Sequence, residues 1–263
     1  MQSRPRQIIA IGGGGLSSDP NDLVLDRYVL AQAGVPEPKV AFVPTASGDA
    51  DSYLVRFYAA FSGLRCRPSC LPLFRRTPEL RTYLLAQNII YVGGGNTKSM
   101  LAVWREWGLP ELLQEAWTSG IVLAGVSAGA ICWFEQGVTD AFADQLRALP
   151  CLGLLPGSCC PHYDGEVERR PTYHELLQRG EIKPGIAIDN HVGVHFLDTE
   201  IHQVVSSRQG ATAYRVSLRG REVSEEPLPA LSSSDRSMLR DHVPSEELGI
   251  TRVNPLPLGP SNC

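Results

Sequence analysis

Ser127 lies in the stretch of this chain whose residue types most directly announce a reaction, Ile121-Val-Leu-Ala-Gly125-Val-Ser127-Ala-Gly129-Ala130, which continues as Ile131-Cys-Trp-Phe134. An apolar run breaks into Gly-x-Ser-x-Gly and resumes, the pattern of a strand, a tight turn and a helix with the serine at the tip. The glycines permit the sharp turn, the hydroxyl is presented to solvent, and the N–H of Ala128 can face a developing oxyanion. A serine so placed is a nucleophile for acyl transfer, and it needs a base, a group to orient that base and a second oxyanion donor.

Six histidines are available for the base: His162, His174, His191, His195, His202 and His242. His162 is the best candidate, because Pro161-His162-Tyr163-Asp164-Gly165 reads as a turn following the apolar Cys151–Leu155 run, where a side chain can be held over a strand end. His174 falls in a stretch that reads as an exposed helix, and His191, His195 and His202 in a strand-rich region. For the group that accepts the other ring N–H, Asp164, Asp140 and Asp189 compete. Spacing does not choose among them. Asp189 is favoured by its place at the carboxyl end of Gly185-Ile-Ala-Ile188. An esterase of the α/β-hydrolase type would need its acid between serine and histidine, which only Asp140 or Asp144 would supply.

Tyr91-Val-Gly-Gly-Gly-Asn96-Thr97 is a second glycine turn between a strand and a helix, with Asn96 or Thr97 as its cap. Free N–H groups at Gly94 and Gly95 are expected to complete the oxyanion hole opposite Ala128. Neither glycine run ends in Gly-Lys-Ser/Thr or matches Gly-x-Gly-x-x-Gly, so a phosphate cradle is the weaker reading.

These turns require rigid strands behind them. Gln7–Ile11, Lys39–Val43, Cys70–Phe74, Asn88–Val92 and Ile121–Ala124 read as buried strands, and Asp22–Ala33, Ser52–Phe61, Pro78–Gln87 and Thr97–Trp107 as helices. The alternation implies an α/β fold with a mostly parallel sheet covered by helices on both faces, and the glycine turns all fall at strand carboxyl ends, where such sheets bind ligands. After Gly185, segments 186–188, 192–196, 202–206 and 213–218 read as extra C-terminal strands extending the same sheet. The domain is expected to run over 1–220. Residues 221–263 read as a Pro/Ser-rich tail, appended or partly disordered, with 236–242 briefly helical.

Of 263 residues, 43% are hydrophobic and 20% charged, ordinary for a soluble domain, and a net charge of −4 without long runs of either sign points away from nucleic acid and membrane surfaces. A small peptide is the expected partner, with a second copy of the chain as an expected assembly. The N-terminal segment is too short in apolar residues for a secretion signal, so the cytoplasm is the expected location. Seven scattered cysteines read as reduced thiols; Cys66, Cys70 and Cys159-Cys160 lack zinc-knuckle spacing, and neither metal nor cofactor is expected.

Together, Ile11-Gly-Gly-Gly-Gly15, Phe42-Val-Pro-Thr-Ala46, Val92–Thr97, Gly125–Ala130 and Pro161-His162-Tyr163 resemble the peptidase E family of serine peptidases, over roughly residues 7 to 215. That family shares the fold of class I glutamine amidotransferases. The resemblance implies Ser127 as nucleophile and His162 as base. Its third position, acidic or amide, corresponds best to Asp189, with Asn190 the one-residue alternative. It implies a substrate-carboxylate contact from Arg169, and Asn96 is taken as a second substrate contact. Members include dipeptidases that cleave after an N-terminal aspartate. Here the segment after His162 is compact and the tail lacks an obvious long hairpin, so the aspartate pocket is expected to be altered.

Overall fold

The structure, a computed structural model, describes residues 5–19, 22–143 and 145–232. Five strands form a parallel block: β1 (Gln7–Ile11), β2 (Lys39–Val43), β3 (Arg67–Cys70), β4 (Ile89–Val92) and β5 (Val122–Val126), of which β3 is a half-exposed edge strand. The connections carry α1 (Val24–Ala31), α2 (Asp51–Phe61), α3 (Leu80–Leu85), α4 (Thr97–Glu106) and α5 (Leu109–Thr118). β1 shows why the inner strands are mostly apolar. Its residues alternate between two cores, Ile8 and Ala10 packing with Met100, Trp104 and Leu113, and Ile9 and Ile11 with Leu25, Val29 and Phe57.

After β5 comes a one-turn helix, α6 (Ala128–Ile131), and the chain then enters a second sheet through β6 (Phe134–Thr139), β7 (Arg147–Pro150) and β8 (Leu155–Cys160). Next are α7 (Arg169–Gln178), β9 (Gly185–Ile188), β10 (Val192–Leu197), β11 (Glu200–Ser206), β12 (Ala213–Arg219), β13 (Glu222–Leu228) and β14 (Ala230–Ser232). The first sheet has the order β14-β11-β10-β1-β5-β4-β2-β3 and the second β13-β12-β9-β8-β6-β7.

The late strands therefore do not all extend one sheet, as the sequence suggests. β9 pairs with β8 and β12, whereas β10 pairs antiparallel with β1. The switch occurs in Asp189-Asn190-His191, where His191 adopts φ 66°. The third strand also lies earlier than expected, at Arg67–Cys70, because the N–H groups of Leu73 and Phe74 are taken by Asp49 Oδ2 at 2.7 and 2.9 Å. Strand structure continues past residue 220. The pair β12 and β13 turns at Gly220-Arg221, and β14 joins the edge of the first sheet beside β11. Residues 233–263, including the expected helix at 236–242, lie outside the described residues. No helix among the described residues is long and apolar enough to cross a membrane, and the six described cysteines are free thiols.

Candidate active site

Between the end of β5 and the start of α6, Ser127 is the whole turn, at φ 57° and ψ −112°. This backbone region is costly for a residue with a side chain, and it is held by the bond from Ser127 N–H to Ile11 O at 2.9 Å and by the N–H groups of Ala130 and Ile131, which donate to Ser127 O. The flanking glycines are required by close approach: a Cβ on Gly125 would stand 2.9 Å from the Cα of Gly129, and one on Gly129 would stand 2.8 Å from the Val92 carbonyl carbon.

His162 follows β8 at φ 54°, its N–H donating to Gly12 O at 3.2 Å. Its Nε2 lies 2.8 Å from Ser127 Oγ and its Nδ1 lies 2.7 Å from Asn190 Oδ1. An amide oxygen only accepts, so Nδ1 carries the proton and the Nε2 lone pair faces the serine hydroxyl, the tautomer a general base requires. Gly13 completes this contact by its lack of a side chain, since a Cβ there would collide with Asn190 Oδ1 and come within 2.8 Å of His162 Nδ1.

The structure thus brings Ser127 and His162 together but sets Asn190, not Asp189, on the distal ring nitrogen. Neighbouring residues leave a strand in opposite directions. Asp189 turns inward, 4% exposed, where its Oδ2 accepts from Thr212 N–H at 3.1 Å, and desolvation raises its carboxyl above the usual range. Asn190 is carried outward to the imidazole. The other acids weighed are also occupied: Asp164 Oδ1 accepts from Asn190 N–H at 2.7 Å while its Oδ2 pairs with Arg208, and Asp140 lies 3.7 Å from Arg169. Asp144 lies outside the described residues. Among the other histidines, His195 is buried against Tyr28 and Gln7, and desolvation and the charge of His202 lower its pKa to about 4. His191 pairs with Asp22 at 3.1 Å.

The expected oxyanion donors divide. Ala128 opens α6, so its N–H has no acceptor within the helix. Gly94 lies against the nucleophile, where a Cβ would stand 3.4 Å from Ser127 Cβ, but its N–H donates to Tyr53 Oη at 3.2 Å. Gly95 adopts φ 137° against Ala46. Asn96 caps α4, its Oδ1 accepting from Ser99 N–H at 2.8 Å.

Arg169 departs furthest from expectation. At 2% exposure it donates to Glu166 at 2.6 Å and to Val138 O at 2.9 Å, inside the packing of α7 on the second sheet, and it does not line the cleft at Ser127. That cleft, about 390 Å³, is walled by Gly13, Ser17, Tyr53, Arg56 and Gly94 around Ser127 and His162. Tyr53 and Arg56 were not singled out by sequence. Both sit on α2, three residues apart on one helix face, and only the polar positions of an otherwise apolar helix signal them.

A strained serine elbow at a strand end, paired with a histidine whose tautomer is fixed, defines a serine-hydrolase type of site on an α/β scaffold. Residues 8–204 match the model of peptidase family S51, and the chain belongs to that family: it is a peptidase of the peptidase E kind. It is 51% identical over 225 residues to the uncharacterized peptidase YgaJ of Bacillus subtilis (strain 168), covering 85% of this chain and 97% of that one. It is 29% identical over 160 residues to peptidase E of Streptomyces coelicolor, covering 53% of this chain and 59% of that one. The fold resembles the crystal structure of a peptidase from an acI-B1 actinobacterium, with a TM-score of 0.67, 18% identity and coverage of 87% and 96%. It also resembles a peptidase E protein from Listeria monocytogenes EGD-e, with a TM-score of 0.54, 20% identity and coverage of 86% and 100%.

Proposed function

We propose that this peptidase cleaves short peptides through an acyl-enzyme on Ser127, with His162 as base and Asn190 as the residue that orients it. His162 Nε2 takes the hydroxyl proton as Ser127 Oγ attacks the scissile carbonyl, and returns it to the leaving amine; water then repeats the sequence in reverse roles. The observation that carries this reading is the 2.8 Å contact between Oγ and Nε2 at a backbone turn that presents the serine to the cleft.

An amide in the third position fixes the tautomer as a carboxylate would, but adds no negative charge to stabilise the imidazolium. The substrate side differs from what the resemblance implies. With Arg169 committed inside the protein, the charged side chain that lines the cleft beside His162 is Arg56, more than a third exposed. A single exposed guanidinium discriminates weakly, because strong selection requires buried partners left unpaired by the wrong substrate. The test compares hydrolysis of Asp-Leu, Ala-Leu and longer peptides under identical conditions. Turnover of short peptides with kcat/KM for Asp-Leu within about tenfold of Ala-Leu supports the reading. A preference for Asp-Leu of about 10^4-fold, or hydrolysis unaffected by Ser127→Ala, overturns it.

A further inference from the structure

We infer that the hydroxyl of Tyr53 is the second donor to the tetrahedral oxyanion, in the place that the glycine turn was expected to fill. The inference rests on the reading of Ser127 as nucleophile. Acyl transfer on a serine needs two donors converging on one point beside the attacking oxygen. Ala128 N–H is the first. The peptide of Gly94 is the neighbouring backbone on the other side, yet its N–H points at Tyr53 Oη, 3.2 Å away. The phenol oxygen therefore stands where that donor is aimed, in the same cleft as Ser127 and His162.

Tyr53 is built to hold this place. Its ring meets Phe42 edge-on at 5.1 Å between centroids, and Phe42 is itself stacked on Phe57 at 4.5 Å, so the ring is fixed while the hydroxyl is free to rotate about its C–O bond. Oη lies 2.5 Å from Ser17 Oγ, which shares a hydrogen with it in the free enzyme. Desolvation raises the phenol above its ordinary pKa, keeping it protonated and a donor. When the carbonyl oxygen gains charge, a hydrogen bond to it is roughly twice as strong as one to a neutral hydroxyl, so the phenolic O–H turns from Ser17 to the oxyanion. Gly94 N–H continues to donate into Oη and polarises it in the right sense. No proton leaves Tyr53, and the step is a change of hydrogen-bond partner.

The competing arrangement makes Tyr53 a plug that masks Gly94 N–H in the free enzyme, and the two differ in sign. Tyr53→Phe keeps the ring and removes only the hydroxyl. As oxyanion donor, its loss lowers kcat for an aminoacyl-coumarin amide by about 10^2-fold with KM within about threefold, and lowers the rate of fluorophosphonate labelling at Ser127. A loss under tenfold, or a faster enzyme, overturns the inference. If Tyr53→Phe does not fold, fluorinated tyrosines at position 53 decide: a kcat that tracks phenol acidity, with an alkaline limb that moves to lower pH as the ring is made more acidic, supports donation, and a flat series overturns it. Unmodified protein serves as the control for the underlying reading, since failure of Ser127 to label there removes the nucleophile itself and not the role of Tyr53.

Discussion

Four of the described histidines touch a hydroxyl, and two of them, His162 and His174, differ in how the ring is held. His162 uses its two ring nitrogens on different partners, Nε2 on Ser127 and Nδ1 on Asn190, so a proton can be taken on one side while the ring is held from the other. His174 on α7 uses one nitrogen twice. Its Nε2 lies 2.9 Å from Tyr163 Oη and 2.6 Å from Glu225 Oε1, and Glu225 also binds Arg170 and Tyr163. Burial pushes the Glu225 carboxyl up, but the bonds from Arg170, Tyr163 and His174 outweigh it and leave it below the usual range. The second cluster holds more charge and a carboxylate, yet it fastens β13 to α7 and to the residue beside His162. A hydroxyl, an imidazole and an acid in proximity are not enough for the proposed reaction, which requires an open hydroxyl and a ring held through its far nitrogen.

The largest expected effect follows from that contrast. Ser127→Ala folds normally and loses peptidase activity by roughly 10^4-fold or more, and His162→Ala loses a comparable amount, whereas His174→Ala leaves kcat/KM within about threefold. Parallel kinetics on the three purified variants check this, and a large activity loss at His174 with His162→Ala near normal would break the comparison.

Asn190 comes next. Asn190→Ala frees the imidazole and is expected to lower kcat by about 10^2-fold, less than loss of the base itself. Asn190→Asp sharpens the point, because a carboxylate stabilises the charged imidazolium where an amide does not, so the acidic limb of the kcat profile moves to higher pH. A profile unchanged by Asn190→Asp would mean that position 190 does not sense the ring.

Stability separates the regions again. Arg169→Ala removes a buried cation whose partner Glu166 is half-exposed and leaves Val138 O without its donor, an expected cost of about 2 kcal/mol in denaturant unfolding, with activity of the folded fraction kept. Beneath the Gly12–Gly15 loop, Asp26 is fully buried, accepting from Tyr91 Oη and Leu16 N–H, and desolvation raises its pKa from 3.8 to about 6. Its contribution to stability is fully present below the unfolded value and is lost as pH rises through about 6. Asp26→Asn escapes that loss, so its stability relative to the natural protein should improve between pH 4 and 7 by an amount on the order of 3 kcal/mol or less, measured by urea titration at each pH.

Much of this was legible in the residues. The inner parallel strands show as apolar runs because both their faces are covered, whereas the edge strand Arg67–Cys70 does not, and Ser127 shows because Gly125 and Gly129 have no room for side chains. His162 was readable from its turn. The register at the third position was not, because a strand end followed by a switch between sheets sends Asp189 and Asn190 to opposite sides, and only the pairing of β9 with β12 decides which goes inward. The resemblance makes Arg169 a substrate contact, while its burial depends on Glu166 and Val138 O, contacts no local pattern encodes. β13 was hidden by its own composition, since Glu225-Glu226-Pro227 are poor strand formers held there by pairing with β12 and by Arg170.

The most direct test of the account is labelling with a fluorophosphonate probe followed by peptide mapping, on the unaltered protein and on His162→Ala. The expected result is a single adduct on Ser127, formed rapidly in the unaltered protein and slowed by several orders of magnitude when the imidazole is removed. An adduct on another residue, or labelling of Ser127 at the same rate without His162, contradicts it.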